Sequence, residues 1–230
     1  TDDERVGPAR LVAGGLAAPT HVKLVAFGCF GLAAIAGLVL IAWTGHWRLI
    51  AVGVASIAAA WYYTGGSHPY GYVGLGEVSV FIFFGLVAVG GTAYLVSGLL
   101  VSWAAAAGAI AMGCYASALL LVNNLRDINT DIESGKRTLA TRIGARATQA
   151  LFTTLLAVAL LSTVVVAALT SWWALLGLVA AYWVVRALAR VWQRNVSAPG
   201  LIEALGSTAF AQLVAAVGMS FGVLVMASGT

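Results

Sequence analysis

The sequence predicts an all-α fold, a multi-pass bundle of transmembrane helices. Three observations point to membrane. Hydrophobic residues make up 61% of the 230-residue chain and charged residues only 9%, where soluble domains average about 25% charged. Mean hydropathy is +0.97. Apolar runs close to the ~20 residues that cross a bilayer follow one another along the chain. No stretch between them is long enough to fold separately, so 1–230 reads as a single transmembrane domain.

The apolar segments are 22–43, 47–63, 77–96, 103–122, 148–169, 172–191 and 203–226. Seven spans fix the sides of the connecting loops. One side holds the N-terminal tail and the 64–76, 123–147 and 192–202 loops. The other holds 44–46, 97–102 and 170–171, which are so short that consecutive helices pair as tight hairpins. Of the 12 lysines and arginines, all but Arg48 fall on the first side, and all 8 acids lie on or next to it. By the positive-inside rule that side is cytoplasmic, and the expected location is the plasma membrane. Trp43, Trp47, Trp103, Trp172 and Trp173 mark the opposite interface as an aromatic belt. This one-sided distribution accounts for the isoelectric point near 9.3, and no nucleic-acid partner is expected. Cys29 and Cys114 each sit inside an apolar run without metal-ligand spacing, which fits small core residues.

Chemistry is expected on the charged side. Residues 123–144 read Asn-Asn-Leu-Arg-Asp-Ile-Asn-Thr-Asp-Ile-Glu-Ser-Gly-Lys-Arg-Thr-Leu-Ala-Thr-Arg-Ile-Gly. Ionisable groups close to hydrocarbon are costly and mark function. Asp127 and Asp131 are four apart, which on a helix places both carboxylates on one face with Cα atoms roughly 6 Å apart. Magnesium is held by one or two carboxylates plus substrate phosphate oxygens. Asp127 and Asp131 are therefore the candidate metal ligands for a magnesium–diphosphate site. Arg126, Lys136 and Arg137 would neutralise the diphosphate, and Asn123 or Asn124 would complete the set. The competing reading is an ordinary positive-inside loop with internal ion pairs.

The 63–77 segment interleaves Tyr63, Tyr70 and Tyr72 with five glycines. Glycines let a loop fold over a substrate, and tyrosines offer an aromatic wall for a cation. A Gly-Pro turn with interfacial tyrosines explains the same composition. Glu77 opens the next helix, either as an acid favoured by the helix dipole or as a polar contact for a substrate. Arg186, Arg190 and Arg194 form one helical stripe suited to lipid headgroups. Gly85, Gly90, Gly91, Gly108 and Gly113 suit close helix packing. His21, His46 and His68 lie in different loops.

The string from Asn123 to Ala140 resembles the second aspartate-rich motif of the UbiA superfamily of intramembrane aromatic prenyltransferases. It is most similar to the branch that prenylates 1,4-dihydroxy-2-naphthoate in menaquinone synthesis. Residues 63–77 resemble that branch's loop between its fourth and fifth helices, and Thr1–Val12 the tail of its first aspartate-rich loop. The resemblance implies nine helices around a central cavity open to the cytoplasmic face, two of them upstream of Thr1. It implies Asp2 or Asp3 as the last acid of the first motif, with Arg5 and Arg10 holding diphosphate. The motif's opening Asn-Asp-x-x-Asp is missing, so this chain alone is expected to hold half the metal site and to be inactive, unlike its parent.

The activity implied is magnesium-dependent transfer of a polyprenyl group from polyprenyl diphosphate to 1,4-dihydroxy-2-naphthoate, with decarboxylation, giving demethylmenaquinone. Asp127, Asp131 and Lys136 would be catalytic, and the tyrosines would line the substrate site. Other members of the superfamily use other acceptors, and sequence physics does not separate them. A transporter is the rival from another class. Against it, no charged group falls near the middle of a span, where translocation paths place them. A non-catalytic scaffold would leave the dense acid–base loop without a purpose.

Overall fold

A chain in hydrocarbon has no water to satisfy its N–H and C=O groups, so its backbone must bond within itself. The computed structural model describes residues 11–12, 14–66, 69–98, 102–194 and 196–228, and among them there are helices and turns and no strand. In chain order the helices are α1 (Pro19–Thr44), α2 (Leu49–Thr64), α3 (Gly76–Ser97), α4 (Trp103–Arg126), α5 (Ile128–Glu133), α6 (Leu139–Leu169), α7 (Trp172–Val191) and α8 (Ala198–Ser228). A 3₁₀ turn, Tyr70–Tyr72, precedes α3, and the first part of α7, Trp172–Ala180, is wound as 3₁₀ helix.

Six of these helices, α1, α3, α4, α6, α7 and α8, are long and apolar enough to cross a membrane. The protein is a multi-pass membrane protein. The segment expected at 47–63 is the apolar helix α2, which at 16 residues is just under the ~17 that span a bilayer.

Two boundaries differ from the sequence expectation, and both matter for the site. Helix α4 runs on to Arg126, taking Asn123, Asn124 and Arg126 out of the predicted loop. Arg126 sits in its last turn, where a cation complements the carbonyl end of the helix dipole. Helix α6 starts at Leu139, nine residues before the predicted 148, with a break at Gly144 (φ 80°, ψ 165°). The predicted 123–147 loop is thus mostly helical. Polar residues set that boundary too early, because a helix can continue beyond the hydrocarbon with its side chains in water. Helix α8 likewise begins at Ala198 rather than 203, with Pro199 in the first turn, where a missing N–H costs nothing.

The chain divides into two compact units, one up to Trp61 and one from Tyr62 onward. The first holds α1 and most of α2. Helix α1 is apolar all round and buries only Ile41, the pattern of a helix facing lipid. The rings of Phe27 and Trp61 lie 6.1 Å apart.

The second unit is built around α4, which packs against α3, α6 and α8, while α7 packs against α8 and α6. Tyr115, Leu121 and Val122 of α4 meet Phe152 and Leu156 of α6 in a core with no solvent access. Elsewhere the contacts are alanines, including Ala118, Ala159, Ala187, Ala204, Ala211 and Ala215. Small side chains let membrane helices approach closely where water supplies no drive to associate. Gly85 of α3 is the tightest point of the α3–α4 crossing: a Cβ there would lie 2.6 Å from the Ala109 carbonyl and 2.7 Å from the Gly113 Cα. Residues 81–90 of α3 form wide π-type turns around this contact, as such turns do where a helix must accommodate a neighbour. The packing role expected of Gly85 and Gly113 is met. Gly90 and Gly91 face open space, and Gly108 touches only Val89 at 4.0 Å.

The tryptophans expected at one interface are exposed, with Trp103 at 75% and Trp172 at 69%. These two open α4 and α7, and on α4 Trp103 is at the end away from the Arg126–Asp127 pair.

Gly85→Ala should destabilise the protein by about 1–3 kcal/mol through overpacking, whereas Gly90→Ala should not. Thermal unfolding of both variants in one detergent checks this, and equal shifts would count against the crossing as described.

Candidate functional site

Helix α4 passes into α5 with almost no interruption. Asp127 is the joint (φ −94°, ψ 8°), and helical bonding continues across it: Asp127 N–H donates to the Asn123 carbonyl (3.2 Å) and Asp131 N–H to the Asp127 carbonyl (2.8 Å). The two carboxylates are therefore one helical turn apart, as the spacing predicts.

Each carboxylate is clasped by a cation nearby in sequence. Arg126 donates twice to Asp127, Nε to Oδ1 and Nη2 to Oδ2, both at 2.8 Å. This planar fork is the strongest ion-pair geometry proteins use. Lys136 Nζ donates to Asp131 Oδ1 at 3.0 Å, and Asp131 is buried although it carries a charge. Gly135 supplies the left-handed turn (φ 73°) that brings Lys136 back, and Lys136 N–H bonds the Asp131 carbonyl at 2.9 Å.

The tyrosine-rich segment docks on this cluster. Arg137 N–H donates to the Tyr72 carbonyl at 2.9 Å, and Lys136 Nζ lies 5.2 Å from the centroid of the Tyr72 ring. Gly74 has φ +83°, and a Cβ there would sit 3.0 Å from Arg142 Nε. Only glycine supplies both that conformation and that room. Arg142 Nε in turn donates to the Arg137 carbonyl at 3.1 Å. Tyr63 and Tyr70 meet edge to face at 5.5 Å, and the Tyr70 hydroxyl is 2.9 Å from Ser79 Oγ.

Beside this seam is an open cavity of about 490 Å³ lined by Ile132, Gly135, Lys136, Arg137, Thr141 and Arg142. Its walls carry three cations and no carboxylate, which suits a polyanion.

Glu77 stands in the first turn of α3, where the helix dipole favours an acid as expected, and the structure gives it a further role. Its Oε1 accepts from Asn124 Nδ2 at 2.8 Å, and its carbonyl accepts from Ser117 Oγ at 2.9 Å. No local pattern announces a pair 47 positions apart. Glu77 Oε2 and Thr138 Oγ1 are buried without partners among the described residues. A buried unpaired polar atom costs about 1–3 kcal/mol.

The structure thus brings together Asp127 with Arg126, Asp131 with Lys136 and Tyr72, Tyr72 with Arg137, Tyr63 with Tyr70, and Asn124 with Glu77. Asn123 contributes its carbonyl to the α4–α5 joint. Asp2, Asp3, Arg5, Arg10 and His68 lie outside the described residues. Among the described residues no three His, Cys, Asp or Glu side chains form a metal cluster. Two carboxylates and an amide on one helical face still fit magnesium, which takes one or two protein carboxylates and completes its shell with water and phosphate. Helix α7 ends at Val191, so the expected arginine stripe keeps only Arg186 and Arg190 on the helix, with Arg194 beyond its end. Arg190 pairs with Glu203 at 2.6 Å, and Arg186 lies over the Tyr182 ring at 5.9 Å.

Residues 2–205 match the UbiA prenyltransferase family. The chain is 47% identical over 220 residues to the 1,4-dihydroxy-2-naphthoate octaprenyltransferase of Mycobacterium tuberculosis (strain ATCC 25618 / H37Rv), covering 96% of this chain and 74% of that protein. It is 44% identical over 227 residues to the protein of the same description in Mycobacterium leprae (strain TN), covering 99% and 76%. With that of Escherichia coli (strain K12) it shares 40% over 146 residues, covering 61% and 47%. No solved structure matches.

Tyr72→Leu should remove the aromatic face under Lys136 and weaken the docking of the two loops by about 0.5–2 kcal/mol. Hydrogen–deuterium exchange across 134–142 should then speed up several-fold. Unchanged exchange would mean that the backbone bond from Arg137 holds the seam by itself.

Proposed function

The chain belongs to the UbiA prenyltransferase family, and on that premise we propose that it transfers a polyprenyl group from polyprenyl diphosphate to 1,4-dihydroxy-2-naphthoate. That the chain is a prenyltransferase rests on its family. The acceptor rests on relatives at 40–47% identity that are 1,4-dihydroxy-2-naphthoate octaprenyltransferases. The observation that carries the site is the seam itself: two carboxylates one turn apart, each beside a cation, covered by a tyrosine-bearing loop.

In the reaction the allylic C–O bond breaks and diphosphate departs with the electron pair. The electron-rich ring carbon bonds the prenyl carbon, and the carboxylate at that carbon leaves as carbon dioxide, returning its electrons to the ring. The immediate product is the quinol form of demethylmenaquinone. Asp127 and Asp131 would hold magnesium, which would supply positive charge to the diphosphate. Arg126, Lys136 and Arg137 stabilise the charge that grows on the leaving oxygen, an interaction stronger in the transition state than in the ground state. Asn123 and Asn124 orient the diphosphate. Tyr63, Tyr70 and Tyr72 present ring faces to the allylic cation and keep water from it. Arg5, Arg10 and Asp2 would add to the same site from the N-terminal tail. The prenyl tail lies along apolar helix faces open to lipid.

The finer architecture belongs to the same proposal. Helix α2 counts as a seventh span of a nine-helix arrangement, the helices surround a central cavity, and the site opens to the cytoplasmic side of the plasma membrane. The crowding of cations at one end of the helices supports that orientation.

In a full-length protein that carries both aspartate-rich motifs, Asp127→Asn and Asp131→Asn should each lower prenyl transfer to dihydroxynaphthoate at least about a hundredfold, the scale of losing one transition-state contact. Excess EDTA should stop the wild type, and added magnesium should restore it. The assay follows product from labelled prenyl diphosphate in nanodiscs. Near-normal turnover in either variant would sink the metal assignment, and turnover of a different acceptor alone would redirect the substrate.

A further inference from the structure

Asn124, Asp127 and Asp131 stand at i, i+3 and i+7 on a helical run whose backbone bonding continues through the α4–α5 joint. Residues at that spacing share one face. Asn124 is therefore the third oxygen-bearing side chain on the face that carries the two carboxylates. An amide offers oxygen at one end and hydrogens at the other, and only the oxygen end serves a cation. Something must choose which end faces out.

We infer that Glu77 makes that choice: it is a positioning residue that holds the Asn124 amide by its nitrogen and turns the carbonyl oxygen toward the metal–diphosphate. The inference rests on the magnesium–diphosphate reading above. A carboxylate has no hydrogen to give, so only the nitrogen end of the amide can face it. The contact is short, 2.8 Å from Asn124 Nδ2 to Glu77 Oε1. Glu77 is withdrawn from solvent, at 6% relative exposure, and Ser117 Oγ fixes its backbone to α4. Asn124 Oδ1 accepts no hydrogen bond among the described residues, so that end of the amide is available to a ligand.

The chemistry also explains why the residue is glutamate rather than glutamine. Two amides can pair either way round, so a glutamine at this position would leave the Asn124 carbonyl facing the wrong side part of the time. The charge removes that ambiguity. It does so at the expense of a buried oxygen, Oε2, that has no partner among the described residues. Packing alone would not select such a group, whereas orientation of a ligand by an outer partner is a common reason to retain one.

The test reads metal binding without turnover. Electron paramagnetic resonance follows Mn²⁺ bound to the protein in nanodiscs with a non-reactive prenyl thiolodiphosphate and no acceptor. Glu77→Leu should raise half-saturating Mn²⁺ roughly tenfold or more, the usual effect of losing an outer-shell partner. Glu77→Gln should fall between it and the wild type. Asn124→Ala should weaken binding to a similar degree, and adding Glu77→Leu to it should weaken binding no further. Gly90→Ala alters the same helix as Glu77 where a Cβ meets nothing within 4 Å, and should leave Mn²⁺ affinity in place.

Wild-type affinity in Glu77→Leu, or multiplicative losses in the double variant, would overturn the assignment. Should Glu77→Leu not fold, Glu77→Gln decides, and unchanged affinity in it overturns the assignment too. Saturable Mn²⁺ binding by a wild type that does not prenylate dihydroxynaphthoate would refute the acceptor and leave Glu77's role standing. Absence of saturable binding by the wild type would overturn both.

Discussion

Hydrocarbon accepts no unpaired backbone polar group and few charges. Every other feature of this protein follows from where that constraint stops. Inside the membrane segments the side chains are mostly alanine, glycine, leucine and valine, and the helices touch through their smallest residues. Charge and aromatic polarity gather in the stretches between helices. There the chain is free of the lipid's veto but still close to hydrocarbon, so its charges must be paired. Arg126 with Asp127 and Lys136 with Asp131 meet that demand at the end of α4.

The two functional stretches depend on one another. The turn at Tyr70–Tyr72 is held by the backbone of Arg137, and Lys136 sits over the Tyr72 ring while it holds Asp131. A lysine in that position cannot move without loosening both the carboxylate and the tyrosine loop. The helix α3 that follows is pinned to α4 at Ser117, at Asn124 and at the Gly85 contact. The rigid helix pair thus carries the docking of the loops, and the precision of the site comes from the apolar body beneath it.

Much of this was legible in the sequence because membrane helices advertise themselves by length and composition. The seven apolar segments each correspond to a helix, and the acid–base string at 123–144 identified the polar cluster. What could not be read were the helix ends. Hydropathy falls where the lipid ends, while helical bonding carries on, so Asn123 to Arg126 and Leu139 to Ala147 lie on helices rather than in a loop. Long-range polar pairs were equally hidden. The bonds from Asn124 to Glu77 and from Gln149 to the Val191 carbonyl join residues 47 and 42 positions apart, and periodicity within one segment carries no information about another. The ion pairing of Arg190 with Glu203 belongs to the same class.

The neighbour pairing of Arg126 with Asp127 has a consequence for how the chain enters the membrane. An acid and a base adjacent in sequence meet without any tertiary contact, so this local neutrality forms with the helix end itself, during insertion and before the bundle closes. A nascent helix whose charges already cancel is easier to seat against lipid than one carrying a bare carboxylate. The pairing that neutralises this helix end in the folded protein thus needs nothing from the rest of the fold.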